Sequence, residues 1–296
     1  MMDESKIVVK KAVITAAGLG TRLLPMSKEL PKEMLPIYAR GASGTLVLKP
    51  LLQALFEQLY RFGIREFCFI VGRGKRAVED HFTPDPDYVT KLNNRGKNTL
   101  AVEMASFYRM VEDSTIVWIN QPEPKGFGHA VLMAKPFVEG DPFLVCAGDT
   151  YIISKNNEFL KRLVETHERT NSHATILLQR VRDPRKYGVA EAKSVSEMDG
   201  VVKVSRVVEK PEKPPSNLAI MPFYIFKPEI MDILEHLKPG VGGEIQLTDG
   251  IQGLIDRGRP VYGVLLREDE IRLDIGTPET YWEAIRLSHE YFSKLK

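Results

Sequence analysis

Cysteine is nearly absent: among 296 residues there are two, Cys68 and Cys146, each inside an apolar run ("FCFIVG" and "FLVCAGD"). Buried free thiols are expected there, rather than a disulfide or a reactive site. Long apolar runs are also missing. No segment approaches the roughly 18 residues a membrane span requires, so no membrane association is expected. An excess of one charge is lacking too, with 41 Lys and Arg against 39 Asp and Glu, a net charge of +2. Without a Lys/Arg block, this balance argues against nucleic acid as a partner. The opening "MMDESKIVVKK" lacks the pattern of a secretion leader, and the chain reads as cytoplasmic. There is no G-x-G-x-x-G with an acidic residue ~20 positions on, and no Gly-Lys-Ser/Thr, which argues against a Rossmann dehydrogenase and a P-loop enzyme. No Ser/His/Asp or Cys/His arrangement suggests a side-chain nucleophile.

What is present is ordinary for a globular protein, 43% apolar and 27% charged residues. Short β-branched runs predict strands at 11–16, 66–71, 115–119, 143–147, 174–181, 201–208, 219–226 and 261–266. Helical patterns lie between them, at 46–63, 73–82, 90–110, 128–134, 157–170, 228–237, 246–257 and 279–295. In 46–63, Leu48, Leu51, Leu52, Leu55, Leu59 and Phe62 share one face, and Gly63 ends the pattern. Such alternation predicts an α/β fold: a Rossmann-like mixed, mainly parallel sheet flanked by helices. A single domain over 1–296 is expected, with a first half to about 150 and a second half beyond. The Pro-rich "KPEKPPSN" (210–217) reads as a surface turn between two strands.

The most informative stretch is "AVITAAGLGTRLLPMSKELPKEMLPI", residues 12–37. Its glycines follow an apolar strand, at the sheet edge where open α/β folds bind ligands. Gly18 and Gly20 let backbone N–H groups approach an anion, and Arg22 adds a planar fork suited to phosphate. A strand followed by G-x-G is by itself equally a tight turn. Lys32 shifts the balance. Pro31 and Pro36 stiffen the backbone around it, and one rigidly displayed lysine beside an anion loop suits a triphosphate.

Here the sequence resembles the sugar-1-phosphate nucleotidyltransferases, in particular the bacterial and archaeal UTP–glucose-1-phosphate uridylyltransferases. The likeness is carried by "AAGLGTRLLP…PKEMLPI", "QPEPKGFGHAV" (121–131), "AGDTYI" (147–152), "YGVAE" (187–191), "VVEKP" (207–211), "SNLAI" (216–220), "GEIQLTDGI" (243–251) and "DIGTPETYWEA" (274–284). These blocks span almost the whole chain in family order. The resemblance implies a nucleotide-diphospho-sugar transferase fold. It also implies attack by glucose 1-phosphate on the α-phosphorus of UTP, giving UDP-glucose and pyrophosphate. Two polyanions must then be aligned, which needs positive charge and positioning.

On that resemblance, Arg22, Lys32, Asp149 and Lys210 carry the chemistry. Asp149, after a Gly at a strand end, is placed to hold Mg²⁺ against phosphate oxygens, and Asp274 matches a second metal aspartate of related thymidylyltransferases. Gln121 and Gly126 are matched to the uracil, with main chain at Ala16, Ala17 and Gly18; Gly20, Thr21 and Glu33 complete the nucleotide side. Gln121 carries both a donor and an acceptor, as the pyrimidine edge demands. Gly188, Glu209, Lys210, Asn217 and Ile220 are matched to the sugar phosphate. His129 reads as the first turn of a packing helix. Segment 83–113 reads as a helical insertion offering a subunit contact, or as a loose surface excursion, and a homo-oligomer (dimer or tetramer) is expected. A thymidylyltransferase and a non-catalytic nucleotide-binding regulator remain the alternatives.

Overall fold

Residues 9–295 are described by the computed structural model; the charged opening segment 1–8 lies outside the described residues. Strand β1 (Lys11–Ala16) is buried at all six positions. Its one cation, Lys11, ion-pairs with Asp141 at 2.9 Å and donates to the carbonyl of Val138 at 3.2 Å. Short 3₁₀ turns at Thr21–Leu23, Met26–Lys28 and Lys32–Met34 follow, then a hairpin of β2 (Pro36–Arg40) and β3 (Leu46–Pro50). Helix α1 (Leu51–Phe62) leads to β4 (Glu66–Val71), α2 (Arg76–His81), α3 (Pro86–Asn94), α4 (Asn98–Glu112) and β5 (Thr115–Asn120). Next come α5 (Phe127–Met133), α6 (Lys135–Val138), β6 (Phe143–Ala147), β7 (Thr150–Ile153) and α7 (Glu158–Thr170). The later half contains β8 (Ala174–Arg180), β9 (Gly188–Ser194), β10 (Val201–Glu209), β11 (Leu218–Phe226) and α8 (Glu229–His236). Helix α9 (Leu247–Asp256), β12 (Val261–Leu265), β13 (Ile271–Asp274) and α10 (Pro278–Lys294) complete the order.

One nine-stranded sheet runs through both halves in the order β5-β4-β1-β6-β11-β8-β12-β10-β9. Only β11 and β10 run against the other strands, so the mixed, mainly parallel sheet is as expected. Both faces are covered. Along β4, Phe67 and Phe69 pack with Leu52, Leu55, Phe56 and Leu59 of α1 on one side. Cys68 and Ile70 face Ala130 and Val131 of α5 on the other. The period of two of a strand thus splits one apolar run between two cores. Burying each of the α1 side chains is worth about 1.5–3 kcal/mol.

Two helical expectations are corrected. The helix expected over 46–63 begins at Leu51, because Pro50 has no N–H to give and its ring would clash inside a helix. Residues 46–50 instead pair with 36–40 in the hairpin, which leaves Leu48 57% exposed rather than on the buried face. The helix expected over 90–110 is two helices, broken around Gly96 in the left-handed region (φ 70°). Both buried thiols are where the sequence placed them, free and inaccessible. No helix among the described residues is long and apolar enough to cross a membrane.

Candidate active site

The Gly-rich loop leaves the carboxyl end of β1 and enters a cavity of about 470 Å³, whose wall includes Gly18, Gly20, Thr21, Arg22, Lys32 and Gln121. Gly20 adopts φ 66°, which a Cβ would resist, and opens the turn that displays Arg22. The loop is pinned by the Ser27 hydroxyl, which donates to the Gly20 carbonyl at 2.7 Å. Ala17 also lines the cavity, whereas Ala16 ends β1 one residue behind it.

Lys32 sits on its own 3₁₀ turn, and its ammonium is in direct contact with the carboxylate of Asp149, 117 residues away in sequence. Asp149 occupies the link between β6 and β7. Gly148 N–H donates to the Thr15 carbonyl of β1 at 2.8 Å, and the Thr150 hydroxyl donates to Asp149 Oδ1 at 3.3 Å. Burial pushes the Asp149 carboxyl upward, but the Lys32 ammonium outweighs it and holds the group below the usual carboxylate range. Burial likewise opposes the charge on Lys32, and the carboxylates of Asp149 and Glu33 override it, so the ammonium persists.

Asp274 arrives through a two-stranded ladder, in which β13 pairs antiparallel with β7 and Asp274 stands opposite Thr150. Ile275 N–H donates to the Asp149 carbonyl at 3.0 Å. The Asp274 carboxyl is pushed up by burial and by the neighbouring charge of Asp149, so the two carboxylates of the sequence reading share one site.

A second cavity of about 320 Å³ opens beside the first, its wall including Gly188, Glu209, Lys210, Ile220, Thr248 and Arg272. Asp149, Phe127, Ala147 and Glu244 line both. Glu209 is held by the Thr248 hydroxyl, which donates at 2.7 Å. Lys210 follows in the left-handed region (φ 42°), its N–H donating to the Tyr187 carbonyl at 3.0 Å. A side chain held there is strained locally, and its ammonium lies 3.5 Å from Glu209. Asn217 does not join this wall. It stands exposed at the approach to β11, accepting from Arg180 at 3.4 Å.

Gln121 is 6% exposed, and its N–H donates to the Val71 carbonyl at 2.7 Å, tying the residue to the end of β4. Its side-chain nitrogen meets the Gly126 carbonyl at 3.3 Å and His129 Nδ1 at 2.9 Å. Gly126 has φ 104°, and a Cβ there would lie 2.7 Å from the Ile245 carbonyl.

Glu33, matched to the nucleotide side, is 1% exposed and receives Lys75 at 2.7 Å. Burial raises its carboxyl even against that ammonium. Lys75, Arg272 and Thr248 escaped the sequence reading. Nothing local marks Lys75 in "VGRGKR" as buried, so no sequence signal could have found it. Arg272 was findable, since it lies two residues before Asp274 and alternate strand residues share a face. It donates to the Tyr187 hydroxyl at 3.2 Å. Thr248 lies within a block of family likeness, but its polar partner Glu209 is 39 residues away in sequence.

Known proteins resemble this chain in sequence and in fold. A family profile described as nucleotidyl transferase spans residues 11–290. The UTP–glucose-1-phosphate uridylyltransferase of Bacillus subtilis (strain 168) is 40% identical over 250 residues, covering 83% of this chain and 80% of its own. That of Pseudomonas aeruginosa is 34% identical over 292 residues, covering 97% and 98%. Among solved structures, a UDP-glucose pyrophosphorylase complexed with UDP-glucose is similar with a TM-score of 0.80 at 32% identity, covering 97% of this chain and 99% of that one.

Proposed function

This chain belongs to the nucleotidyl transferase family, and from that premise we propose that it transfers UMP from UTP to α-D-glucose 1-phosphate, releasing pyrophosphate and UDP-glucose. The observation that carries the reading is the pair of cavities meeting at Asp149, one edged by the Gly-rich loop and Lys32, the other by Glu209 and Lys210. A nucleoside triphosphate in the first and a sugar phosphate in the second would bring an attacking phosphate oxygen towards the α-phosphorus. The relatives named for this reaction support the choice of substrates.

The residues divide the work by charge. Arg22 and Lys32 neutralise the triphosphate and the departing pyrophosphate, charge that grows in the transition state. Lys210 holds the sugar phosphate, while Glu209 accepts hydrogen bonds from sugar hydroxyls. Gln121 reads the base above Gly126. One chain-long domain with a nucleotide-side and a sugar-side half suits the continuous sheet.

For a metal, the donor set fits Mg²⁺. Asp149 and Asp274 are hard oxygen donors close enough for the charge of one to raise the carboxyl of the other. Two carboxylates suit an ion that keeps waters and takes phosphate oxygens, rather than one held in an all-protein cage. The chemistry Mg²⁺ supplies when bound is neutralisation of phosphoryl charge.

The reading extends to a cytoplasmic homo-oligomer. Free buried thiols support the first. An apolar groove lined by Val47, Leu48, Tyr88, Leu92 and Leu100, where the hairpin meets α3 and α4, supports the second. The test of function is pyrophosphate release from UTP, dTTP, CTP, ATP and GTP with glucose 1-phosphate. UTP should be the best substrate, and a clear preference for dTTP would move the chain to the thymidylyltransferases.

A further inference from the structure

The amide of Gln121 makes two contacts that together decide which of its ends a ligand can meet. The Gly126 carbonyl can only accept, so the amide atom 3.3 Å from it is the nitrogen. The second N–H of that nitrogen points at His129 Nδ1, 2.9 Å away. Nδ1 must therefore accept, and the ring's proton belongs on Nε2. Both amide donors are consumed within the protein. What Gln121 has left for the cavity it lines is its carbonyl oxygen alone.

We propose that His129 is a specificity-determining positioning residue, which by accepting from Gln121 forces that amide to present only an acceptor to the base. Uracil and thymine carry N3–H, a donor that pairs with this acceptor. Cytosine carries a bare N3 at the same place, so two acceptors would face each other and both would be left unpaired. The sequence reading allowed Gln121 both roles; the structure withdraws the donor. His129 does not line the cavity and acts through Gln121 rather than on the nucleotide. Its surroundings favour the neutral ring that this role needs: burial lowers its pKa, as does Lys125, against the opposing pull of Glu123.

The inference rests on Gln121 meeting the base, so the experiment separates the two. UTP and CTP are titrated, with glucose 1-phosphate saturating, on the intact enzyme and on Gln121→Ala, His129→Leu and His129→Asn. His129→Leu keeps the bulk but removes the shorter of the two contacts that hold the amide nitrogen, leaving only the 3.3 Å contact to the Gly126 carbonyl against a turn of the NH₂ towards the base. The kcat/KM ratio of UTP over CTP should fall about tenfold or more, with the KM for glucose 1-phosphate unchanged. His129→Asn restores an acceptor near the position of Nδ1 and should keep most of the ratio. If Gln121→Ala lowers the ratio while His129→Leu leaves it intact, His129 has no such role. A ratio lost equally in His129→Asn and His129→Leu would also overturn the proposal, since the acceptor would not be what matters. An unchanged ratio in Gln121→Ala would remove the base-reading role of Gln121, and this inference with it.

Discussion

Lys32 and Lys210 stand on different cavities, and their surroundings differ as much as their places. Lys32 is mostly buried and locked to Asp149, its side chain 14% exposed; Lys210 is 48% exposed at the end of β10. Each charge-assisted contact to phosphate is worth about 1.5–3 kcal/mol. Lys32→Ala should therefore impair chiefly the use of UTP, and Lys210→Ala chiefly that of glucose 1-phosphate, each by about ten- to a hundredfold in kcat/KM. Titrating one substrate with the other saturating reads this division, and a rise confined to the KM for UTP in Lys210→Ala would contradict it. Asp149 is the hinge of the same arrangement, because it faces Lys32, Asp274 and both cavities. Asp149→Asn should lower turnover about a hundredfold or more while keeping the fold, and chelation with EDTA should silence the unaltered enzyme. Full turnover in EDTA-treated, Mg²⁺-free buffer would remove the metal role from both aspartates.

The loop and helix around residue 126 show how one element shapes the pocket of another. Gly126 precedes α5, and its missing side chain lets the segment before α9 approach, so that Ile245 N–H donates to the Lys125 carbonyl at 2.8 Å. Gly126→Ala would set a Cβ 2.7 Å from the Ile245 carbonyl at a φ of 104°. The two strains together should destabilise by about 1–3 kcal/mol, seen as a lower melting temperature. Displacement of this turn should raise the KM for UTP and spare that for glucose 1-phosphate. An unaltered UTP titration would mean that the base does not lie against residue 126. The ladder of β7 and β13 has a comparable role, since without it Asp274 would have no reason to approach Asp149. Four-residue strands such as these are too short to display a period, and the sequence reading missed both, along with the hairpin and β9.

Across the molecule, stability is tied to pH through a group remote from the chemistry. His167 on α7 is 3% exposed and shares its Nδ1 with the hydroxyls of Ser172 and Thr175 at 3.2 and 3.1 Å. Burial, with help from Lys227 and His173, lowers its pKa from 6.5 to about 4. The folded chain thus resists a proton that the unfolded chain accepts. The stability this confers is complete above pH 6.5 and is lost as pH falls towards 4. The loss should amount to about 3 kcal/mol. Urea unfolding between pH 7 and 4 should show this slope, and His167→Asn should remove that share of it. Parallel curves for the two proteins would exclude His167 as the source.

Read as a sequence, the chain declares what is local. Strands β1, β4, β6 and β11 are contiguous apolar runs, helices α7 to α10 carry a clear period, and the strand–glycine–Arg22–Lys32 stretch holds its chemistry within some twenty residues. The longer buried strands and the family likeness could be found on such signals. Contacts between distant segments could not. Periodicity says which face of an element is buried, but not which element lies against it, and a proline such as Pro50 overrides a leucine stripe that it interrupts. The tertiary structure alone decided that Lys32 meets Asp149, that Lys75 neutralises a buried Glu33, and that Asn217 stands apart from the sugar-side wall. It alone also set His129 against Gln121, because the polarity of an amide is settled by the partners that folding brings to its two ends.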